Sequence, residues 1–157
     1  MTLWRISNHT DLSGEGGMRA SGRWHSRGRP IVYLTESSAG AMLETLVHLK
    51  GRRDKIPRTY TLLQLEVPDT VAIEMVPIPT TENWKDDLQW SRKQGDEWLA
   101  SGRTAMLEVP SVVMIRTTNY LFNPRHADAD SIQVKEIINA SYDERLFVQH
   151  RDEFSVL

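Results

Sequence analysis

Two adjoining stretches decide how the chain is read: Pro30-Ile31-Val32-Tyr33-Leu34, and Ser37-Ser38-Ala39-Gly40-Ala41-Met42-Leu43-Glu44-Thr45-Leu46-Val47-His48-Leu49-Lys50. The first is an apolar run of strand length. Proline stands at its start, where no ladder donor is needed. The second opens with two serines that can cap a helix. Met42, Leu43, Leu46, Val47 and Leu49 then recur at helical spacing as a wide apolar stripe, ended by Gly51-Arg52-Arg53. Glu44 and His48 are four apart and share one face, away from the centre of the stripe.

Outward from this strand–helix unit, residues 3–6 read as a short strand. Between them lies a glycine-rich stretch that holds five of the nine glycines, from Gly14 to Gly28. Glycine at this density marks irregular backbone or close approach of a ligand. Residues 59–67 and 71–76 read as strands separated by Pro68-Asp69. Residues 84–100 read as a helix, broken or kinked near Gly95. Residues 105–109 and 111–115 read as strands on either side of Pro110. Residues 119–124 give a strand and a turn, 132–138 an alternating strand, and 145–148 a last short strand. The sum is a strand-rich α+β domain with two principal helices. No repeat, low-complexity tract or long linker divides it, so a single compact domain is expected.

Composition narrows the function classes. A chain of 157 residues suits one domain of about 100–150 residues. With 39% hydrophobic and 25% charged residues, disorder, collagen and coiled coil are poor readings. No apolar run approaches the ~20 residues of a membrane span, and the start lacks the apolar core of a secretory signal. Cysteine is absent, which excludes disulfides, zinc ribbons and thiol nucleophiles and fits a reducing, cytoplasmic setting. The net charge of -2 hides a division: residues 1–60 carry eight Arg and two Lys against five acids, while the remainder is acidic. Arginine suits forked contacts to phosphate, so the first third is where an anionic ligand is sought. Chance drift of charge explains the division equally well.

Walker A, strand-linked G-x-G-x-x-G, G-x-S-x-G and H-E-x-x-H signatures are missing. The five histidines lack metal-ligand spacing, and a sequence pI of 6.2 is far from a basic nucleic-acid footprint. Four residues carry candidate chemistry, each with a blander use beside it. Arg23 in the glycine-rich loop can grip a phosphate, or sit in a surface ion pair. Tyr33 can stack on a flat heterocycle, or be a core tyrosine. Glu44 is a positioned carboxylate, or a solvated helix glutamate. Ser111 is a site hydroxyl, or a strand-edge one.

Read together, Leu3-Trp4-Arg5-Ile6, Ser21-Gly22-Arg23-Trp24-His25, Ile31-Val32-Tyr33, Ala41-Met42-Leu43-Glu44-Thr45-Leu46-Val47-His48-Leu49, Val109-Pro110-Ser111 and Asn119-Tyr120-Leu121-Phe122-Asn123-Pro124-Arg125-His126 resemble the RES-domain toxins of bacterial RES–Xre toxin–antitoxin systems. The resemblance covers residues 1–147, and residues 148–157 form a tail of unassigned role. The Arg, Glu and Ser of the family name match Arg23, Glu44 and Ser111.

The resemblance implies a fold related to ADP-ribosyltransferases, with an NAD-binding cleft. It implies cleavage of the nicotinamide–ribose bond of NAD, as substrate, by phosphate or water, with no resident cofactor or metal. It also implies neutralisation by an Xre-type helix-turn-helix antitoxin in a hetero-oligomer, and nucleic-acid contact only through that partner. On this reading Arg23 contacts the phosphates or ribose and Tyr33 faces the nicotinamide. Glu44 stabilises an oxocarbenium-like ribose, and Ser111 bonds the nicotinamide amide, the ribose or Glu44. His25, His48 and Asn119 lie near these positions. The stripe of Met42, Leu43, Leu46 and Val47 is expected to anchor the helix on the sheet. Transfer of ADP-ribose to a macromolecule and a non-catalytic role in a repressor complex are the competing readings; an RNA-cleaving toxin has least support.

Overall fold

Residues 1–49, 57–80 and 82–147 are described by a computed structural model of the chain. The strands are β1 (Thr2–Ile6), β2 (Val32–Thr35), β3 (Thr59–Glu66), β4 (Ile73–Met75), β5 (Met106–Pro110), β6 (Thr118–Phe122) and β7 (Gln133–Ser141). They form one sheet in the order β4-β5-β6-β2-β1-β3-β7. Only the β4–β5 pair is parallel among these pairings, joined through helix α3 (Leu88–Ser101), so the sheet is mixed. The other helices are α1 (Glu15–Arg19) and α2 (Ser38–Leu49).

Alternation along the strands divides the core in two. Leu3, Val32, Leu34, Leu63, Leu65, Met106 and Phe122 occupy one face and are closed over by Leu12, Val71, Ala129 and Ile132 from connecting segments. Tyr33, Leu107, Val109 and Leu121 point to the other face, with Trp24 of the glycine-rich stretch and Trp98 of α3. Helix α2 packs on β1 and β2. The register sets Thr35 opposite both Trp4 and Asn119, so these three side chains share that second face.

Local chemistry explains the helix bounds. Of the two candidate serines, Ser37 is the cap: its Oγ accepts the Gly40 N–H at 3.0 Å. The run expected as one helix over 84–100 divides instead. A 3-10 turn, Glu82–Lys85, precedes Asp87, whose carboxylate accepts the Trp90 N–H and starts α3 afresh. α3 then runs unbroken through Gly95. A Cβ there would lie 1.7 Å from the Trp24 carbonyl oxygen, so this glycine serves close packing of loop on helix and makes no kink.

Two expected strands are corrected. Residues 111–115 read as β-rich but leave the sheet after Pro110, because the backbone closes a loop with Ser111 N–H donating to Thr117 O at 2.9 Å. Met114 and Ile115 are exposed there. The expected strand at 145–148 is a 3-10 turn, Glu144–Leu146, started by Asp143, which accepts the Arg145 N–H; Val148 lies outside the described residues. The glycine-rich stretch contains, besides irregular backbone, the single-turn helix α1.

Candidate active site

Glu44 projects from the middle of α2 toward the sheet. Its Oε1 accepts two hydrogen bonds, from Ser111 Oγ at 2.9 Å and from Asn119 Nδ2 at 2.7 Å. Two donors on one carboxylate oxygen fix its rotamer and leave Oε2 without a partner among the described residues. Ser111 is itself held: its Oγ accepts the N–H groups of Val113 and Met114, both at 3.2 Å. One donor and two acceptors use the full capacity of a hydroxyl. The loop that replaced the expected strand therefore exists to aim this hydroxyl at Glu44. Asn119 gives its amide N–H to Glu44, and in consequence its buried Oδ1 has no donor among the described residues. Such an orphan acceptor costs stability unless something meets it.

The helix is turned differently from the sequence expectation. Ala41 is its only buried residue among those described, while Leu43 and Val47 of the apolar stripe are 36% and 40% exposed. The stripe anchors α2 only in part, since Met42 and Leu46 are half-buried. The side lying on the sheet is that of Ala41, Glu44, Thr45 and His48, and these residues, with Trp4, Tyr33 and Asn119, line a cavity of about 180 Å³. Ala41 permits close approach, and Ser111 and Asn119 supply polar partners for the inward carboxylate. A helix that turns its carboxylate in and its leucine out breaks the usual pattern, and such local violations concentrate at functional sites.

Tyr33 reaches this cavity from β2 with its ring and buries its hydroxyl. The Trp24 N–H donates to Tyr33 Oη at 3.1 Å, and His25 Nδ1 lies 2.8 Å from the same oxygen. Burial pushes the phenol well above its ordinary value. The histidines expected nearby divide by role: His25 is buried behind Tyr33, whereas His48 lines the cavity from α2.

Arg23 is not brought to Glu44. Its guanidinium donates to the Lys85 carbonyl at 2.8 Å, tying the glycine-rich stretch to the 3-10 turn before α3. Lys85 lines a second, larger cavity of about 400 Å³, together with Trp84, Glu108, Arg116 and Ser111. The Ser111–Glu44 hydrogen bond thus spans from the wall of one cavity to that of the other. Trp84, Lys85 and Arg116 carried no signal in the sequence. Trp84 and Lys85 come from a segment read as plain helix and Arg116 from a stretch between two strand readings, and only folding sets them beside Ser111.

A family model described as RES domain matches residues 2–146. The chain is 46% identical over 147 residues to "Toxin Res" of Pseudomonas putida, covering 94% of this chain and all of that protein. It is 37% identical over 157 residues to "Prs ADP-ribosylating toxin" of Sphingobium sp., covering 92% and 96%. Its fold resembles a chain of the Mycobacterium tuberculosis MbcT–MbcA toxin–antitoxin complex with a TM-score of 0.72 at 21% identity, covering 89% of this chain and 84% of that one. With the family match spanning nearly every described element, the chain belongs to the RES-domain family.

Proposed function

We propose that this chain is the toxin of a toxin–antitoxin pair and that it depletes NAD by cleaving the nicotinamide–ribose bond. The observation that carries the reading is the inward Glu44 carboxylate, held on one oxygen by Ser111 and Asn119 within a cavity that Tyr33 also lines. Cleavage of this bond develops positive charge on the ribose. A carboxylate fixed beside it, with one oxygen unengaged, stabilises that charge without reorganising. Nicotinamide leaves neutral, so one carboxylate suffices where O-glycosidases commonly use two. The Tyr33 ring offers a face to the cationic nicotinamide, a contact of about 0.5–2 kcal/mol. Asn119 Oδ1 accepts a donor from the ribose or the carboxamide, which resolves its orphan state.

The smaller cavity is below the ~300 Å³ usual for a ligand site, so it suits only the nicotinamide–ribose end of the dinucleotide. The larger cavity, with Lys85 and Arg116 and with Arg23 behind Lys85, suits the pyrophosphate and adenosine. Phosphate or water then takes the ribosyl carbon. Purified protein incubated with NAD, with and without inorganic phosphate, tests this directly. ADP-ribose 1″-phosphate indicates phosphorolysis and ADP-ribose indicates hydrolysis; intact NAD in the presence of folded protein refutes the reading and favours a non-catalytic module.

A second reading has a specific observation in its favour. The Sphingobium relative is named an ADP-ribosylating toxin, and the same cleft can pass the ribosyl group to a macromolecule. Labelled protein from radiolabelled NAD and a lysate marks that outcome. The partner on either reading is an Xre-type helix-turn-helix antitoxin in a hetero-oligomer that obstructs the cleft. The fold likeness to a chain of a toxin–antitoxin complex supports an antitoxin partner. No helix among the described residues is long and apolar enough to cross a membrane. A dinucleotide substrate supports a cytoplasmic setting.

A further inference from the structure

We infer that His25 is a positioning residue for the dinucleotide cleft: it accepts the hydrogen bond of the Tyr33 hydroxyl and so locks the ring that faces the ligand. The inference rests on the proposed NAD reading and adds a control over that site. Both nitrogens of the buried His25 ring are engaged. Nε2 lies 2.9 Å from the Ala20 carbonyl oxygen, which can only accept, so Nε2 carries the proton. Nδ1 is then the lone-pair nitrogen of the neutral ring, and the contact at 2.8 Å is Tyr33 O–H donating to it. The Trp24 N–H donates to the same phenol oxygen. The single proton of Tyr33 is thereby spent away from the cleft. What Tyr33 presents to a ligand is a ring in one orientation, with no donor attached.

The surroundings hold this arrangement closed. A Cβ on Gly22 would lie 2.5 Å from Tyr33 Oη and 2.8 Å from the His25 ring, so the glycine is needed for the approach. Arg92 of α3 donates to the Gly22 carbonyl at 2.9 Å and fixes the loop over the pair. The charged and titratable groups that face His25 are Asp96 and Arg92 of α3 and Tyr33 of β2, with the carbonyls of Ala20 and Gly17 on the α1 side. Burial outweighs the rest and favours the neutral ring. Protonation would place a second N–H against the Tyr33 oxygen. The phenolic proton would then have to turn elsewhere, and the lock would open. Affinity for the dinucleotide is therefore expected to fall on the acid side.

The test compares wild type, His25→Ala and His25→Asn in NAD kinetics from pH 5 to 8, together with ¹⁵N spectra of the histidine rings. Asparagine keeps an acceptor near the Nδ1 position and cannot titrate. His25→Ala should raise KM tenfold or more with kcat within about threefold. His25→Asn should restore KM to within threefold and abolish the acid-side rise in KM. The spectra should show a neutral Nε2–H ring in wild type that shifts in Tyr33→Phe. A lowered melting temperature with unchanged KM in His25→Ala, or an Nδ1–H tautomer, overturns the inference. If wild type consumes no NAD, the functional reading fails, and the tautomer and its response to Tyr33→Phe decide the lock separately.

Discussion

At the scale of single residues, the site is a problem in satisfying one carboxylate. Glu44 has two donors on Oε1 and none of its own to give. Glu44→Gln should keep the fold, by circular dichroism, and lower NAD turnover by about 10²–10³, the loss typical when one preorganised electrostatic group is removed. Ser111→Ala should cost more than catalysis. It strips an acceptor from two part-buried backbone N–H groups in the 111–117 loop, which water can meet in part, so the loss is about 0.5–1.5 kcal/mol. A chemical-denaturation midpoint below wild type, together with reduced turnover, is the expected pair of results. His25 gives a pH dependence of stability. Its folded pKa is lowered, chiefly by burial. Between the unfolded value of about 6.5 and that lower value, the unfolded chain binds a proton the native state refuses. Stability therefore falls as pH drops from about 6.5 toward the folded value, then levels. Melting temperatures of wild type minus His25→Asn should show a loss confined to that acidic window.

At the scale of elements, α2 and α3 show packing overruling pattern. The stripe of α2 reads as a core face, yet Leu43 and Val47 are among the exposed apolar residues. Leu43→Ser should change stability by less than about 1 kcal/mol, whereas the buried Ala41→Leu should cost about 1–3 kcal/mol through overpacking. In α3, Gly95→Ala should gain about 1 kcal/mol of helix propensity. It should lose more than that, because the added methyl meets the Trp24 carbonyl at 1.7 Å. A lowered unfolding midpoint with displaced Trp fluorescence is the measurement, since Trp24 packs against Trp84 and Trp90 with ring centroids 6.2 and 5.9 Å apart. The elements themselves were largely legible. β1, β2, α2, β3 and β6 fall where apolar periodicity puts them. The misread segments are short and β-branched, or sit where side chains such as Ser111 and Asp143 bond the backbone and compete with strand formation.

At the scale of the molecule, the sheet order brings distant segments onto one site. β2 and β6 are adjacent, so Tyr33 and Asn119 lie on neighbouring strands although 86 positions separate them in the chain. The family match ends at residue 146, and the last described ring, Phe147, packs on Tyr142 at 5.4 Å. Deleting residues 148–157 should therefore leave NAD turnover within about twofold and the melting temperature within a few degrees, since they lie beyond the family match. A collapse of either in the truncated protein would give the tail a role in the fold or the cleft.

By itself the sequence determined the class of fold, the one-domain organisation and the family, because periodicity and residue blocks are local properties. It pointed to Glu44 and Ser111 as residues of interest, and to Asn119 and His25 as their neighbours. Which side of α2 faces the sheet was decided only by the tertiary structure. Hydrophobic pattern predicts burial of the stripe, but Ser111 from the loop after β5 and Asn119 from β6, both remote in sequence, offer Glu44 hydrogen bonds that an apolar side chain cannot use. The same holds for Arg23, whose partner is a carbonyl 62 residues away, and for the Tyr33–His25 lock, whose proton order follows from what surrounds both ends of one imidazole ring.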